Sequence, residues 1–428
     1  MTNRLSELSK TLRGSAILQI AGEVKDLTQQ GHDIANLSVG DFSSEQFPIP
    51  RLLEDATVDA LRHGESTYPP PAGMDELRSA IVEFYKHRWN ADFDVENILV
   101  TGGARPVIYT AYRALIDPGD RVVFGVPNWN NQYYCQLTGA DAVMIECDAS
   151  TAFLPTAAAL RPHLRGARLL ALNSPLNPTG TVMSAEQLGE ICDLVLEENA
   201  RRGPAERPLF VLYDQVYWML TVGGATHVNP ISLRPAMAPY VVLVDAISKA
   251  FAATGLRVGW AVGPEDVIRV MNDVSAHVGA WAPRAEQVAT AKLLVDHAAV
   301  DRYTANIQHE LAIRLAAFYD GLMAMKADGL PVDSIRPQGA IYVSARFALH
   351  GMQTADGDTL ATDDDVRRYL LHEAGFAIIP FGAFGSAGET GWFRISIGIV
   401  TVADIEALLP KIRAAVTGVL AGAAARAG

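Results

Sequence analysis

The sequence predicts an α/β fold, with a mostly parallel, seven-stranded sheet between layers of helices and a smaller α+β domain beside it. Three observations carry this expectation. The 428 residues exceed what one compact core holds, so a large domain and a smaller one are expected. Short runs rich in Val, Ile and Leu alternate with helix-like segments, the pattern of repeated βα units. Those runs show little polar alternation, as strands covered by helices on both faces do.

In chain order, the candidate strands are Asn97 to Thr101, Arg121 to Gly125, Ala142 to Glu146, Arg168 to Leu172, Leu209 to Tyr213, Tyr240 to Asp245, and Val258 to Val262. A sheet of this kind gathers its ligands at the carboxyl ends of its strands. Gly102-Gly103, Pro127-Asn128-Trp129, Asn173 to Gly180, Asp214 and Ser248-Lys249 all fall at such ends. After about residue 315 the pattern turns to helices, an apolar segment at Ala340 to Val343, and a Gly- and Phe-rich loop, Phe381 to Gly391. The expected division is an N-terminal segment, residues 1–49, packing with the small domain; a large domain, 50–315; and a small C-terminal domain, 316–428.

Composition narrows the function. A formal net charge of −13 argues against nucleic acid as a partner, since that affinity comes from neutralising phosphates with Lys and Arg. The three cysteines, Cys135, Cys147 and Cys192, stand in no metal-ligand spacing and suit free thiols in a reducing compartment. Cytoplasm is therefore expected. Met1 to Lys10 has no apolar h-region, and no apolar run approaches the roughly 20 residues of a membrane helix. The GxxxxGK[ST], HExxH and GxSxG patterns are absent, so no metal site is expected.

The chemistry centres on Lys249, just past an apolar strand in Asp245-Ala-Ile-Ser248-Lys249-Ala-Phe. An apolar setting disfavours the ammonium form and leaves an amine that attacks aldehydes. Taken alone, a lysine after a strand reads as a solvated surface residue. Its company argues otherwise: Arg257 offers a forked, permanent cation suited to a phosphate, and Gly255 and Gly259 permit close backbone approach.

This segment resembles the lysine motif of the fold-type-I, class I/II aminotransferases, relatives of aspartate aminotransferase. The resemblance spans nearly the whole chain through Leu37-Ser-Val-Gly40, Tyr68-Pro-Pro-Pro-Ala-Gly73, Thr101-Gly-Gly-Ala104, Asp117-Pro-Gly-Asp120, Asn173-Ser-Pro-Leu-Asn177-Pro-Thr-Gly180, Tyr213-Asp214-Gln-Val-Tyr217, the Lys249 segment and Arg394-Ile-Ser. It implies pyridoxal 5′-phosphate (PLP) held by Lys249 as a Schiff base. The implied activity moves the α-amino group of an L-amino acid, a dicarboxylic one such as aspartate or glutamate among the candidates, to a 2-oxo acid. A PLP-dependent lyase on the same scaffold is the alternative, because such relatives share the cofactor residues.

The family's roles carry over residue by residue. Asp214 pairs with the pyridine nitrogen and keeps it protonated, so that the ring draws electrons from Cα; read locally and alone, it is a helix N-cap. Tyr217 donates to the ring oxygen O3′, provided a helix begins near Asp214 and turns it to the same face; a buried core tyrosine is the plain alternative. Asn177 also donates to O3′, although Asn-Pro-Thr-Gly reads locally as a turn. Gly103, Ala104 and Arg105 begin a helix whose unpaired N–H groups cradle the phosphate, with Ser248 and Arg257 as further contacts. One departure stands at Ala246, where relatives often carry a phosphate-binding serine.

Trp129 stacks on the ring in this reading, or is simply a core tryptophan. Tyr68 matches a tyrosine that reaches the phosphate of a neighbouring subunit, which implies a homodimer; locally it belongs to a rigid Pro-rich turn. Arg394 clamps the substrate α-carboxylate or serves a structural ion pair, and Gly40 sits beside that carboxylate or is a turn glycine. Arg105 contacts the distal carboxylate of a dicarboxylic substrate, or the phosphate. Gln215, where most relatives have Glu, and Trp218 and Trp281, as pocket-shaping residues, point to an unusual substrate.

Overall fold

The computed structural model describes residues 4–12, 14–203 and 205–427. All seven apolar runs form strands of one sheet: β1 (Ile98–Thr101), β2 (Arg121–Val126), β3 (Asp141–Glu146), β4 (Ala167–Asn173), β5 (Phe210–Asp214), β6 (Val241–Ala246) and β7 (Gly259–Val262). Their spatial order is β1-β7-β6-β5-β4-β2-β3. Pairings from β6 through to β3 are parallel, whereas β7 is antiparallel to both of its neighbours, β1 and β6. The exception has a local cause. The link between β6 and β7 holds only the helical turn Ile247–Ala250, with no crossover helix to carry the chain back to the start of the next strand.

Successive residues of these strands feed opposite faces, as the two-residue period requires. Leu99, Val122, Phe124, Leu169 and Val244 enter one core that continues into the C-terminal part of the chain. Ile98, Val100, Val123, Leu170 and Leu243 enter a second core on the other face. The strand β3 departs from the expected double cover. It lies at the sheet edge, and of its residues only Ile145 is buried.

The helix α1 (Ala16–Gln29) precedes the sheet, and α2 (Ala104–Leu115) follows β1 directly. The helix α3 (His297–Ala327) has no proline to interrupt it and runs unbroken through residue 315, where the sequence pattern changes. Beyond it, β8 (Val332–Ile335), β9 (Tyr342–Phe347), β10 (Ile379–Pro380) and β11 (Trp392–Ser396) form an antiparallel sheet in the order β10-β11-β9-β8. Near the N-terminus, Ala35–Asn36 pairs in parallel with Phe376–Ala377, tying the early chain to this second region. The loop from Phe381 starts as a tight turn that buries Phe381 and Phe384 against Ile20 and Val24 of α1. All three cysteines are free. Among the described residues, no helix is long and apolar enough to cross a membrane.

Candidate active site

A cavity of about 460 Å³ opens at the carboxyl ends of β4, β5 and β6, closed on its other sides by residues 39–41, the start of α2 and Arg394 of β11. Lys249 stands in its wall, and its Nζ donates to the Gly40 carbonyl at 2.5 Å. No carboxylate forms an ion pair with it among the described residues. Burial holds its ammonium down to about 8; Asp41 opposes that shift, while Arg394, Arg105 and Arg257 add to it. The result is an amine that reaches its neutral, nucleophilic form near physiological pH.

Asp214 ends β5, and its Oδ1 accepts from the Val216 N–H at 3.2 Å. This is a local side-chain turn rather than a helix cap, because residues 216–219 form a turn and no helix begins there. The helix expected to orient Tyr217 is therefore absent. The turn does that work instead, held by Trp218 N–H to Gln215 O and Leu220 N–H to Tyr217 O, both at 2.8 Å. Burial raises the Asp214 carboxyl to about 6. A buried carboxylate with no cationic partner suits a site that receives a protonated nitrogen.

Arg394 is 1 % exposed. Its Nη1 donates to Asn177 Oδ1 at 3.1 Å and its Nη2 to Ser38 O at 2.5 Å, while Nε has no partner. Its guanidinium lies 4.8 Å from the Tyr342 ring and 4.9 Å from the Phe384 ring. The structural ion pair weighed for this residue is not formed with any described carboxylate. Asn177 spends its amide oxygen on Arg394, which leaves its NH2 to donate into the cavity.

At the other end, Gly103 caps α2 with φ +94°. Arg257, itself at φ +58°, donates from Nη1 to Thr254 O at 2.6 Å and from Nη2 to Gly102 O at 3.0 Å. A Cβ on Gly103 would fall 2.1 Å from Arg257 Nη2, and one on Gly259 would fall 2.5 Å from the Gly103 carbonyl carbon. Two glycines thus let a guanidinium and a helix N-terminus converge, and no anion among the described residues occupies that corner. Ser248 and Ala104 line the same end. Arg105 is exposed and lies 5.2 Å over the Trp129 ring, and both line the cavity.

Tyr68 stands apart. It is 83 % exposed, lies outside the cavity, and makes an edge-on contact with Trp281 at 5.4 Å. Trp218 and Trp281 do not line the cavity, which corrects the expectation that they shape it. Trp218 is turned away to donate to Asp245 Oδ2 at 2.7 Å. The buried Gln215 likewise faces His227, at 3.3 Å, and not the cavity.

Several wall residues were missed from the sequence. Tyr342 meets the Tyr217 hydroxyl at 2.6 Å. Asp41 accepts from Thr254 Oγ1 at 2.7 Å beside Lys249. Ser15, Ile17 and Leu18 cover the mouth from the start of α1. Tyr342 and Asp41 had a weak signal, sitting within the apolar segment 340–343 and next to Gly40. Residues 15–18 had none, because only the folded chain brings α1 over the sheet.

These groups fit PLP. The corner of Gly103, Ala104 and Arg257 suits its phosphate, the unpaired Asp214 its pyridine nitrogen, the Asn177 and Tyr217 donors its phenolic oxygen, and the depressed Lys249 its aldehyde. Comparison with known proteins agrees. The family described as aminotransferase class I and II matches residues 32–412. Aspartate aminotransferase of Rhizobium meliloti (strain 1021) is 31% identical over 408 residues, covering 94% of this chain and 93% of that one. Aspartate aminotransferase of Bacillus sp. (strain YM-2) is 28% identical, covering 90% and 93%. Among solved structures, the aspartate aminotransferase from Rhizobium meliloti matches with a TM-score of 0.87 at 28% identity, over 97% of this chain and 100% of that one. An aromatic aminotransferase from Pyrococcus horikoshii OT3 matches with a TM-score of 0.80 at 27% identity, over 92% and 98%.

Proposed function

This chain belongs to the aminotransferase class I and II family and is a PLP-dependent transaminase of amino and 2-oxo acids; from that premise we propose that its donor is a dicarboxylic L-amino acid, aspartate or glutamate. One observation carries the proposal: Arg394, Arg257 and Arg105 border the cavity that holds Lys249, and none has a carboxylate partner among the described residues. Arg394 is buried and Arg257 partly buried, so each favours an anionic partner, and Arg105 at the exposed rim is placed to meet a third. A cofactor phosphate and two substrate carboxylates supply them.

When bound, PLP supplies the aldehyde that takes up the amine and the ring that stores the electrons released at Cα. Arg394 holds the α-carboxylate through its fork and orients Cα toward Lys249. Lys249 Nζ, half neutral at about pH 8, would take the Cα proton and return it at the carbon on the far side of the nitrogen. Asp214 holds the proton on the pyridine nitrogen. Tyr217 and Asn177 would donate to the phenolic oxygen, Trp129 would stack on the ring, and Gly103, Ala104, Ser248 and Arg257 would hold the phosphate. Gly40 leaves room beside the α-carboxylate, and Arg105 takes the distal carboxylate from the cavity mouth.

A donor screen with 2-oxoglutarate as acceptor tests the reading. Arg105→Gln is expected to lower kcat/KM for aspartate and glutamate by about 10- to 100-fold, the worth of a charged hydrogen bond, while neutral donors keep theirs. An unchanged ratio between dicarboxylic and neutral donors overturns it. Ile17 and Leu18 on the cavity wall favour a second reading, an aromatic or aliphatic donor, and the same screen separates the two. Ammonia released without consumption of the acceptor marks the lyase alternative.

The proposed working unit is a cytoplasmic homodimer. Tyr68, exposed and outside its own cavity, is free to reach the phosphate of the neighbouring subunit. Residues 50–315 and 316–428 make up the two proposed domains, joined within α3, with residues 1–49 packed on the smaller.

A further inference from the structure

Tyr342 belongs to β9 of the small sheet, yet its hydroxyl meets Tyr217 of the large-sheet side at 2.6 Å, and either oxygen is able to donate. The ring is 1 % exposed and lies against the Arg394 guanidinium. Its hydroxyl sits in space that only a glycine leaves free, since a Cβ on Gly40 would come within 2.5 Å of it. Three site residues, Gly40, Tyr217 and Arg394, therefore converge on one phenol.

We propose that Tyr342 is a positioning residue that commits the Tyr217 proton to the cofactor's phenolic oxygen; this rests on the role given to Tyr217 above. A phenol carries one proton and accepts through its lone pairs. If Tyr217 donates to Tyr342, it has nothing to offer the cavity. Once the phenolic oxygen of PLP takes the Tyr217 proton in a hydrogen bond, the short contact persists only with Tyr342 as the donor. Both O–H groups then point the same way, and donation into the Tyr217 oxygen strengthens Tyr217 as a donor in turn. Burial raises the titration of both phenols, so each keeps its proton across the working range.

A stronger donor draws charge from the phenolic oxygen and weakens that oxygen's hold on the neighbouring Schiff-base proton. Tyr342 thereby lowers the pH at which the Lys249-bound cofactor gives up that proton. The test is a pH titration of the visible absorption band in the holoenzyme for wild type, Tyr342→Phe, Tyr217→Phe and the double variant. Tyr342→Phe is expected to raise the midpoint by about 0.5 unit, the size of one modest hydrogen bond. Tyr217→Phe should raise it further, and the double variant should match Tyr217→Phe alone, because Tyr342 acts through Tyr217. A Tyr342→Phe midpoint equal to wild type, with Tyr217→Phe shifted, overturns the proposal. So does a Tyr342→Phe shift that persists in the Tyr217→Phe background. If Tyr217→Phe itself leaves the midpoint in place, the assignment of Tyr217 to the phenolic oxygen fails first and the role of Tyr342 falls with it.

Discussion

An ammonium group in a desolvated cavity costs the folded chain free energy until it sheds its proton, and Lys249 is held down to about 8 for that reason. Lys249→Ala should abolish both the visible band of the bound cofactor and transamination; a variant keeping either contradicts its role. Asp214 shows the opposite sign. The folded chain keeps its proton up to about pH 6, whereas an unfolded Asp releases it at about 3.9. Between those values the folded state binds more protons, so the stability this group confers is full below about pH 3.9 and is lost as the pH rises through about 6. Cofactor-free Asp214→Asn should therefore gain on cofactor-free wild type across that window and hold a constant advantage above it. Denaturant midpoints measured from pH 4 to 7 check this, and a difference that does not vary with pH refutes it. At this scale Lys249, Ser248 and Arg257 were legible because they stand together in one short motif, although Lys249 and Arg257 meet Gly40 and Gly102 far away in the chain. Tyr342 and Asp41 were not, because they answer to Tyr217 and Thr254 across 125 and 213 residues.

The anion corner is a property of elements. The strand β7 runs so close to the start of α2 that a methyl group at Gly259 would meet the Gly103 backbone at 2.5 Å and the Ala104 amide at 2.6 Å. Backbone has no side chain to swing away, so Gly259→Ala must part the strand from the helix. The expected cost is about 1 to 3 kcal/mol of stability, as for other overpacked sites, together with faster loss of cofactor on dialysis. Denaturation and retained absorbance would be measured in parallel, and an alanine variant with both intact would show that the close approach is dispensable. The strands themselves were legible, since continuous apolar runs of this length are what buried parallel strands require. Their places in the sheet were not. The edge position of β3 follows from which crossovers pack, and local sequence carries no record of that, whereas the reversal of β7 follows from the short link after β6, whose only helix is the turn Ile247–Ala250.

Over the whole molecule, the cavity is assembled from parts far apart in the chain: the start of α1, the segment at Gly40 and Asp41, the large-sheet strand ends with the start of α2, and Tyr342 and Arg394 of the small sheet. Its width therefore depends on how the two sheets sit together. The proposed dimer adds a further part. Sedimentation should give twice the 46.0 kDa chain mass. Tyr68→Phe should weaken PLP retention by about tenfold, the worth of one hydrogen bond to a charged group. A monomeric chain that retains PLP as tightly as its relatives would remove Tyr68 from the site.

The sequence alone determined the seven strands, through apolar runs each confined to a short stretch, and the cofactor class, through a family resemblance carried by ordered motifs along nearly the whole chain. Tertiary structure alone decided that residues 216–219 form a turn rather than a helix, that Trp218 turns to Asp245 and away from the substrate, and that Tyr342, Asp41 and residues 15–18 enter the cavity. The physical reason is common to all of these. A side chain's orientation and the groups it meets are set by packing between elements far apart in the chain, and it was there that the lysine acquired the burial that makes it reactive.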